Sequence, residues 1–284
     1  MRTIPLLPVD AAATFDSIAT AKRPPTRARM RAVRPEVIEA YDCYEQVAPE
    51  VAALLALELT DNQKAAMLHA FTVETGPMRA LRGALLGRPI VFRCPFCGIG
   101  ESSTLDHYLP KEHYPEFAIF PSNLVPSCAV CNTRKRDRVL IDGTEVRMFL
   151  HPCFDVIPDE EFLVARARIE NDALILSYRI RRPAGMALRT FRHLKAHFDV
   201  LNLADRYRRM SLDHLGEYYP TLRRAYGDDE DAGRVAKLLT EAAGDAEEVS
   251  GPNFWRAKLY RALAANDAFC DGGFELSRIH YRPN

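Results

Sequence analysis

Between positions 36 and 88 apolar residues recur every third or fourth position, in EVIEAYDCYEQVAPEVAALLALEL and NQKAAMLHAFTVETGPMRALRGALL. That spacing lines one face of a helix, so this part is expected to be helical. Pro24, Pro25 and Pro35 bracket a stretch just before it that reads as a linker or flexible basic arm. From 91 to 150 the helical period is lost and Cys, Pro, Gly and Asn dominate, with short extended runs expected at 103–109 and 117–120. FLVARARIE and ALILSYRIRR then alternate with a period of two around Asn171-Asp172, which predicts a β-hairpin. Helical spacing returns from about Ala187, with loops expected at 227–231 and 245–252 and a last helix over 254–266. The pattern therefore predicts a mostly helical α+β protein in three regions: helical 1–90, a small module at 91–150, and a β-hairpin plus helices over 151–284.

With 284 residues and 48% hydrophobic content, the chain can bury a sizeable core. Lys+Arg and Asp+Glu both number 38, so no global field draws it to a polyanion, and any such site must be a local patch. Charge is nonetheless segregated. Positions 22–34 hold six basic and no acidic residues, 166–209 hold 11 basic against four acidic, and 228–248 hold eight acidic against two basic. Solvated helix faces are the competing reading of each run. Within the second, Arg179, Arg181, Arg182, Arg189 and Arg192 are candidate DNA contacts. The first residues are broken by Pro5, Pro8 and Asp10, which leaves no apolar run of signal-peptide length. No run approaches the roughly 18–20 apolar residues that span a bilayer. A cytoplasmic protein without a membrane partner is the expectation.

Four of the seven cysteines form two C-x-x-C pairs, Cys94-Pro-Phe-Cys97 and Cys128-Ala-Val-Cys131. In a reducing compartment that spacing points to a metal rather than to disulfides. Four soft thiolates suit a closed tetrahedral zinc site, which staples structure and leaves no open position for catalysis. Cys43, Cys153 and Cys270 read as isolated, partly buried thiols.

Candidate chemistry lies between and after the knuckles, in Leu105-Asp106-His107-Tyr108-Leu109-Pro110-Lys111, Pro121-Ser122-Asn123-Leu124, and Cys131-Asn132-Thr133-Arg134-Lys135. Histidine is the side chain whose ordinary pKa suits it to activate water near neutral pH, which makes His107 a candidate general base. A hard divalent ion takes oxygen ligands, and Asp106 and Asn132 offer a carboxylate and an amide oxygen. Lys135, one turn after Asn132, could meet a phosphate, with Arg134, Arg136 and Arg138 extending that contact. His113 could be a further ligand, and His193 and His197 have the i, i+4 spacing of a zinc pair but sit among Arg192 and Lys195 as ordinary helix-face residues would.

These segments resemble the HNH, or ββα-metal (His-Me finger), nuclease motif: D-H-x-x-P on a first strand, N-L on the way out of a second, and C-x-x-C-N-x-x-K opening a helix. The resemblance covers about 45 residues. It implies a hairpin and helix that hold one magnesium or manganese ion against a scissile phosphate, and it gives Asn123 a supporting role in pinning a loop and orienting the base. The D-H-Y-x-P-K form with Tyr114-Pro115 also resembles a branch found in bacterial anti-phage systems of the Septu type, which implies an ATPase or sensor partner. The function expected is cleavage of DNA, duplex more than RNA. Two alternatives stay open: a non-catalytic zinc-ribbon nucleic-acid binder, and a scaffold subunit of a larger complex.

Overall fold

The computed structural model describes residues 1–277. The chain divides into two compact units, Met1–Ile157 and the part from Pro158 onward. Among the described residues helix dominates, at 53%, with two small antiparallel sheets. Regions 1–90 and 91–150 thus fall within one unit.

The first unit begins with α1 (Ala11–Thr20), which the sequence pattern did not reveal; Asp10 caps it by accepting the amide of Ala13 at 2.9 Å. The proposed basic arm is instead a helix, α2 (Thr26–Ala32), continuing into α3 (Arg34–Val47). Met30, Val33 and Val37 are buried on one side, a helical stripe that the intervening arginines hide. Several of the basic residues there are structural. Lys22 is buried and donates to the carbonyls of His69 and Val73 at the end of α4 (Asp61–Thr72), and Arg34 grips Asp16 through two bonds of 2.6 and 2.7 Å. Helix is also absent over most of 51–59. Pro49 cannot continue α3 and only a short 3-10 turn, Val51–Ala53, comes after it. α5 (Gly76–Leu86) completes the helical part.

The 91–150 segment contains β1 (Thr104–His107), β2 (Leu124–Ser127) and α6 (Ala129–Lys135). The strands pair antiparallel, with Asp106 opposite Val125 and His107 opposite Leu124. Residues 117–120 are not extended as expected; Pro115 and Pro121 set two 3-10 turns, Pro115–Phe117 and Pro121–Asn123, that fold this loop onto its own aromatic side chains. Consequently Asn123-Leu124 lies at the entrance to the second strand, not on its way out.

Region 91–150 is fastened to α3 and to the segment between α3 and α4. Tyr41 stacks on Phe120 with ring centres 4.0 Å apart, Ser122 Oγ donates to Glu45 at 2.7 Å, and the Leu57 amide donates to Glu116 at 3.0 Å.

The second unit opens with β3 (Leu163–Glu170) and β4 (Ala173–Ile180), paired as expected around Asn171 and Asp172, whose φ angles of 50° and 55° suit a tight hairpin turn. One face of the hairpin packs on α8 (Leu203–Tyr226) and α10 (Trp255–Ala264). There Tyr178 is buried, its hydroxyl 2.7 Å from Ser211 Oγ and donating to the Trp255 carbonyl. α7 (Leu188–Val200), α9 (Ala232–Ser250) and α11 (Asp267–Cys270) complete the unit. The loop expected over 245–252 is shorter than it looked, because helix runs to Ser250 before Gly251 and Pro252 end it. Among the described residues, no helix is long and apolar enough to cross a membrane.

Candidate metal centres and the pocket between β1 and α6

Cys94, Cys97, Cys128 and Cys131 converge, all buried, with their sulfurs within 4.8 Å of one another. Cys97 and Cys128 sulfurs are 3.8 Å apart, about the edge of a tetrahedron with ~2.3 Å metal–sulfur bonds. The donor set therefore fits zinc. Two glycines permit the approach. Gly98 takes a φ of +67° in the first knuckle, and a Cβ on Gly100 would lie 2.9 Å from the Cβ of Cys128. The Ile99 amide points at Cys97 Sγ at 3.5 Å, a hydrogen bond that suits a thiolate. Cys43, expected to be partly buried, is exposed, while Cys153 is half-buried and Cys270 buried.

A pocket of 360 Å³ opens beside β1 and α6, lined by Asp106, His107, Pro110, Lys111, Glu112, Asn132, Arg136 and Asp137. Alternation along β1 is interrupted by the loop folding over it, so both Asp106 and His107 are almost completely buried. His107 Nε2 lies 2.9 Å from the carbonyl of Ala118. A carbonyl only accepts, so Nε2 carries the ring proton and Nδ1 is left with a lone pair. Burial drives the imidazole pKa down to about 4, which keeps the ring neutral. The ring of Phe71, from α4, meets His107 edge-on with centres 4.3 Å apart.

Asp106 is the site's least satisfied group. Desolvation raises its pKa to about 6 against the opposing pull of Lys135, and Oδ2 has no hydrogen-bond donor although Lys135 Nζ is 3.3 Å away. The ion pair is a matter of proximity, not of bond geometry. A buried carboxylate oxygen with no donor suits a cation ligand. Asn132 donates through Nδ2 to Thr104 Oγ1 at 3.2 Å. The Thr104 hydroxyl spends its one proton on the Ser127 carbonyl at 2.9 Å, so it accepts from Asn132 and leaves the Asn132 Oδ1 as the unspent end of that amide.

Lys135 corrects the sequence reading. It is 1% exposed, where a solvent-facing side chain was expected, and donates to the His107 carbonyl at 2.6 Å, so it ties α6 to β1. Arg136 lines the pocket, Arg134 is exposed, and Arg138 turns back to cap α6 through the carbonyls of Arg134 and Lys135. His113 lies 3.5 Å from Asp137, both exposed. Of the other candidates, Arg179, Arg181, Arg182, Arg189 and Arg192 are exposed in the second unit, and His193 and His197 are buried on α7.

Asn123 is fully buried and uses all its hydrogen-bonding capacity. It accepts from the Leu109 amide at 2.8 Å and the Tyr44 hydroxyl at 3.2 Å, and donates to the carbonyls of Leu109 at 3.0 Å and Phe117 at 3.3 Å. These bonds reach both sides of His107: Leu109 lies two residues beyond it, and Phe117 precedes the Ala118 carbonyl that anchors its ring. Behind Asn123, Tyr44 contacts His151 Nε2 at 3.0 Å, and His151 Nδ1 accepts the Cys153 amide. Arg147, buried nearby, is held bidentately by Asp155 and donates to the Tyr108 hydroxyl. Sequence reasoning missed Phe71, Tyr44, Arg147 and His151, since nothing in local spacing marks contacts made across tens of residues. Lys111, Glu112 and Asp137 adjoin the motif and were within its reach.

Fold and site together define a helix-dominated protein in which four cysteines gathered near a short β-hairpin can hold zinc. The chain is 31% identical over 193 residues to protein ea31 of Escherichia phage lambda, an alignment covering 63% of this chain and 64% of the phage protein. It thus spans just under two thirds of that relative's length. No family model matches the sequence, and no solved structure matches the fold.

Proposed function

We propose that the chain is a metal-dependent endonuclease that hydrolyses phosphodiester bonds in DNA, with its active site in the pocket between β1 and α6. One observation carries the reading: a neutral histidine with a free Nδ1 lines the same pocket as an amide oxygen and a buried carboxylate whose Oδ2 lacks a hydrogen-bond donor. In this reading His107 Nδ1 takes a proton from the attacking water, and the Ala118 carbonyl holds the ring at the tautomer that allows it. Asp106 and Asn132 hold a magnesium or manganese ion, which supplies positive charge at the scissile phosphate. Arg136 neutralises the neighbouring backbone, while Lys135 fixes the strand that carries His107. The four cysteines, loaded with zinc, set the start of α6. The resemblance to the anti-phage branch extends the proposal to an ATPase or sensor partner.

Plasmid cleavage by the full chain with magnesium, manganese or EDTA tests this. His107→Ala should fold, retain zinc and lose cleavage by at least ~10²-fold at every metal concentration. Asp106→Asn should instead recover activity as metal concentration rises. A wild-type protein that does not cut under any of these conditions, or a His107→Ala protein that cuts at the normal rate, leaves the zinc-ribbon binder as the better reading.

A further inference from the structure

The hairpin of the second unit has one face buried on helices and one face in water, and the second face is unusual. Register places Val164 opposite Arg179, Arg166 opposite Ser177, Arg168 opposite Ile175 and Glu170 opposite Ala173. Residues directly opposite share a face, so Arg166, Arg168 and Arg179 project from the same side, and Arg181 continues it where its amide pairs with the Phe162 carbonyl at 2.8 Å. All four are exposed. Glu170 is the sole acid on that face, and it pairs with Arg168 at 3.0 Å at the turn end of the ribbon. Arg166 and Arg179 are diagonal neighbours, where like charges destabilise a sheet. A surface that needed only solubility would mix signs there.

We infer that this arginine face is a docking ribbon for duplex DNA. Two strands ~4.8 Å apart fit a B-form major groove ~12 Å wide, which admits a two-stranded ribbon. Arginines two apart on one strand lie ~7 Å from each other, a spacing that lets successive side chains reach different phosphates. The deep, narrow major groove of A-form RNA does not admit the ribbon. The inference deepens the nuclease reading by naming the form of its substrate, and it rests on that reading only for the consequence of binding, since docking itself needs neither pocket nor catalytic metal.

The test measures anisotropy of a labelled DNA duplex of ~20 base pairs, its separated strand, and duplex RNA of the same sequence, with the full chain in buffer without added magnesium or manganese. The variant carries Arg166→Gln, Arg168→Gln and Arg179→Gln; a control removes equal charge through Lys64→Gln, Arg224→Gln and Lys237→Gln. All six side chains are exposed, and circular dichroism checks that both proteins fold. Three lost phosphate contacts should flatten the slope of log affinity against log salt by about 2.7 and weaken duplex binding by about 10²-fold at 0.15 M salt, with little change in the control. Equal binding by variant and control would overturn the inference, as would the same loss for single strands or duplex RNA. The two readings fail separately. Wild-type protein that docks through the ribbon yet never cuts refutes the nuclease alone, whereas a ribbon variant that binds and cuts normally refutes the ribbon alone.

Discussion

Replacing Asn123 by alanine should be among the most damaging single changes in the first unit. It would strand the Leu109 amide, the Leu109 and Phe117 carbonyls and the Tyr44 hydroxyl proton, all in positions closed to solvent. An orphaned buried amide costs ~1–3 kcal/mol, and each of the longer or doubly served bonds contributes ~0.5–1 kcal/mol. Allowing for partial relaxation, the total is about 3–4 kcal/mol, or a fall in melting temperature of roughly 6–16 °C for a unit of this size. Asn123→Asp discriminates the cause. A carboxylate keeps both acceptor roles but turns an oxygen toward the two carbonyls, so it should be as unstable as alanine near neutral pH. Below the raised pKa of the new acid, its proton can donate to one carbonyl, and stability relative to wild type should recover as pH falls. Thermal denaturation of the three proteins, at neutral and mildly acid pH, reads these differences. An alanine variant melting within about 2 °C of wild type would refute the assignment of Asn123 as the loop's polar anchor.

Purified chain should carry about one zinc by elemental analysis, and Cys131→Ser should lose it together with the cooperative melting of the first unit, not merely some activity. His151 should make stability pH-dependent. Burial depresses its pKa to about 3, so the folded protein binds fewer protons than the unfolded one between pH ~3 and ~6.5, and its contribution is complete above ~6.5 and lost as pH falls through that window. Denaturant titrations of wild type and His151→Gln should therefore converge by about 2 kcal/mol between pH 7.5 and pH 5; a constant difference would show that His151 is not held neutral.

The parts of the site that could be read in the sequence are those whose geometry is local. Two C-x-x-C pairs specify a metal knuckle because each turn alone brings its sulfurs together, and the 163–180 hairpin announces itself by its two-residue period and its Asn171-Asp172 turn. Burial was illegible where a side chain's environment is built by distant chain. Lys135 reads as a surface helix residue until β1 closes over it, and Tyr44 carries no sign that it will meet Asn123, 79 residues on. In α2 the arginines dominate the pattern, and Met30 is its one buried side chain, with the rest of the stripe, Val33 and Val37, lying beyond its end. The reverse occurred at 245–252, where the expected loop is helix as far as Ser250, a continuation of the helix whose buried stripe is Val235, Leu239 and Ala243.

The fastening of α3 to the loop ahead of β2 bears on how this protein can be dissected. A fragment cut at residue 91, where the cysteine-rich composition begins, would contain every motif residue yet lack the phenol that links Asn123 to His151, the ring stacked on Phe120 and the carboxylate that receives Ser122. Such a fragment would expose a bare aromatic cleft and aggregate. The portable piece starts upstream of Arg34, and grafting the motif onto another scaffold would require transplanting that helix with it.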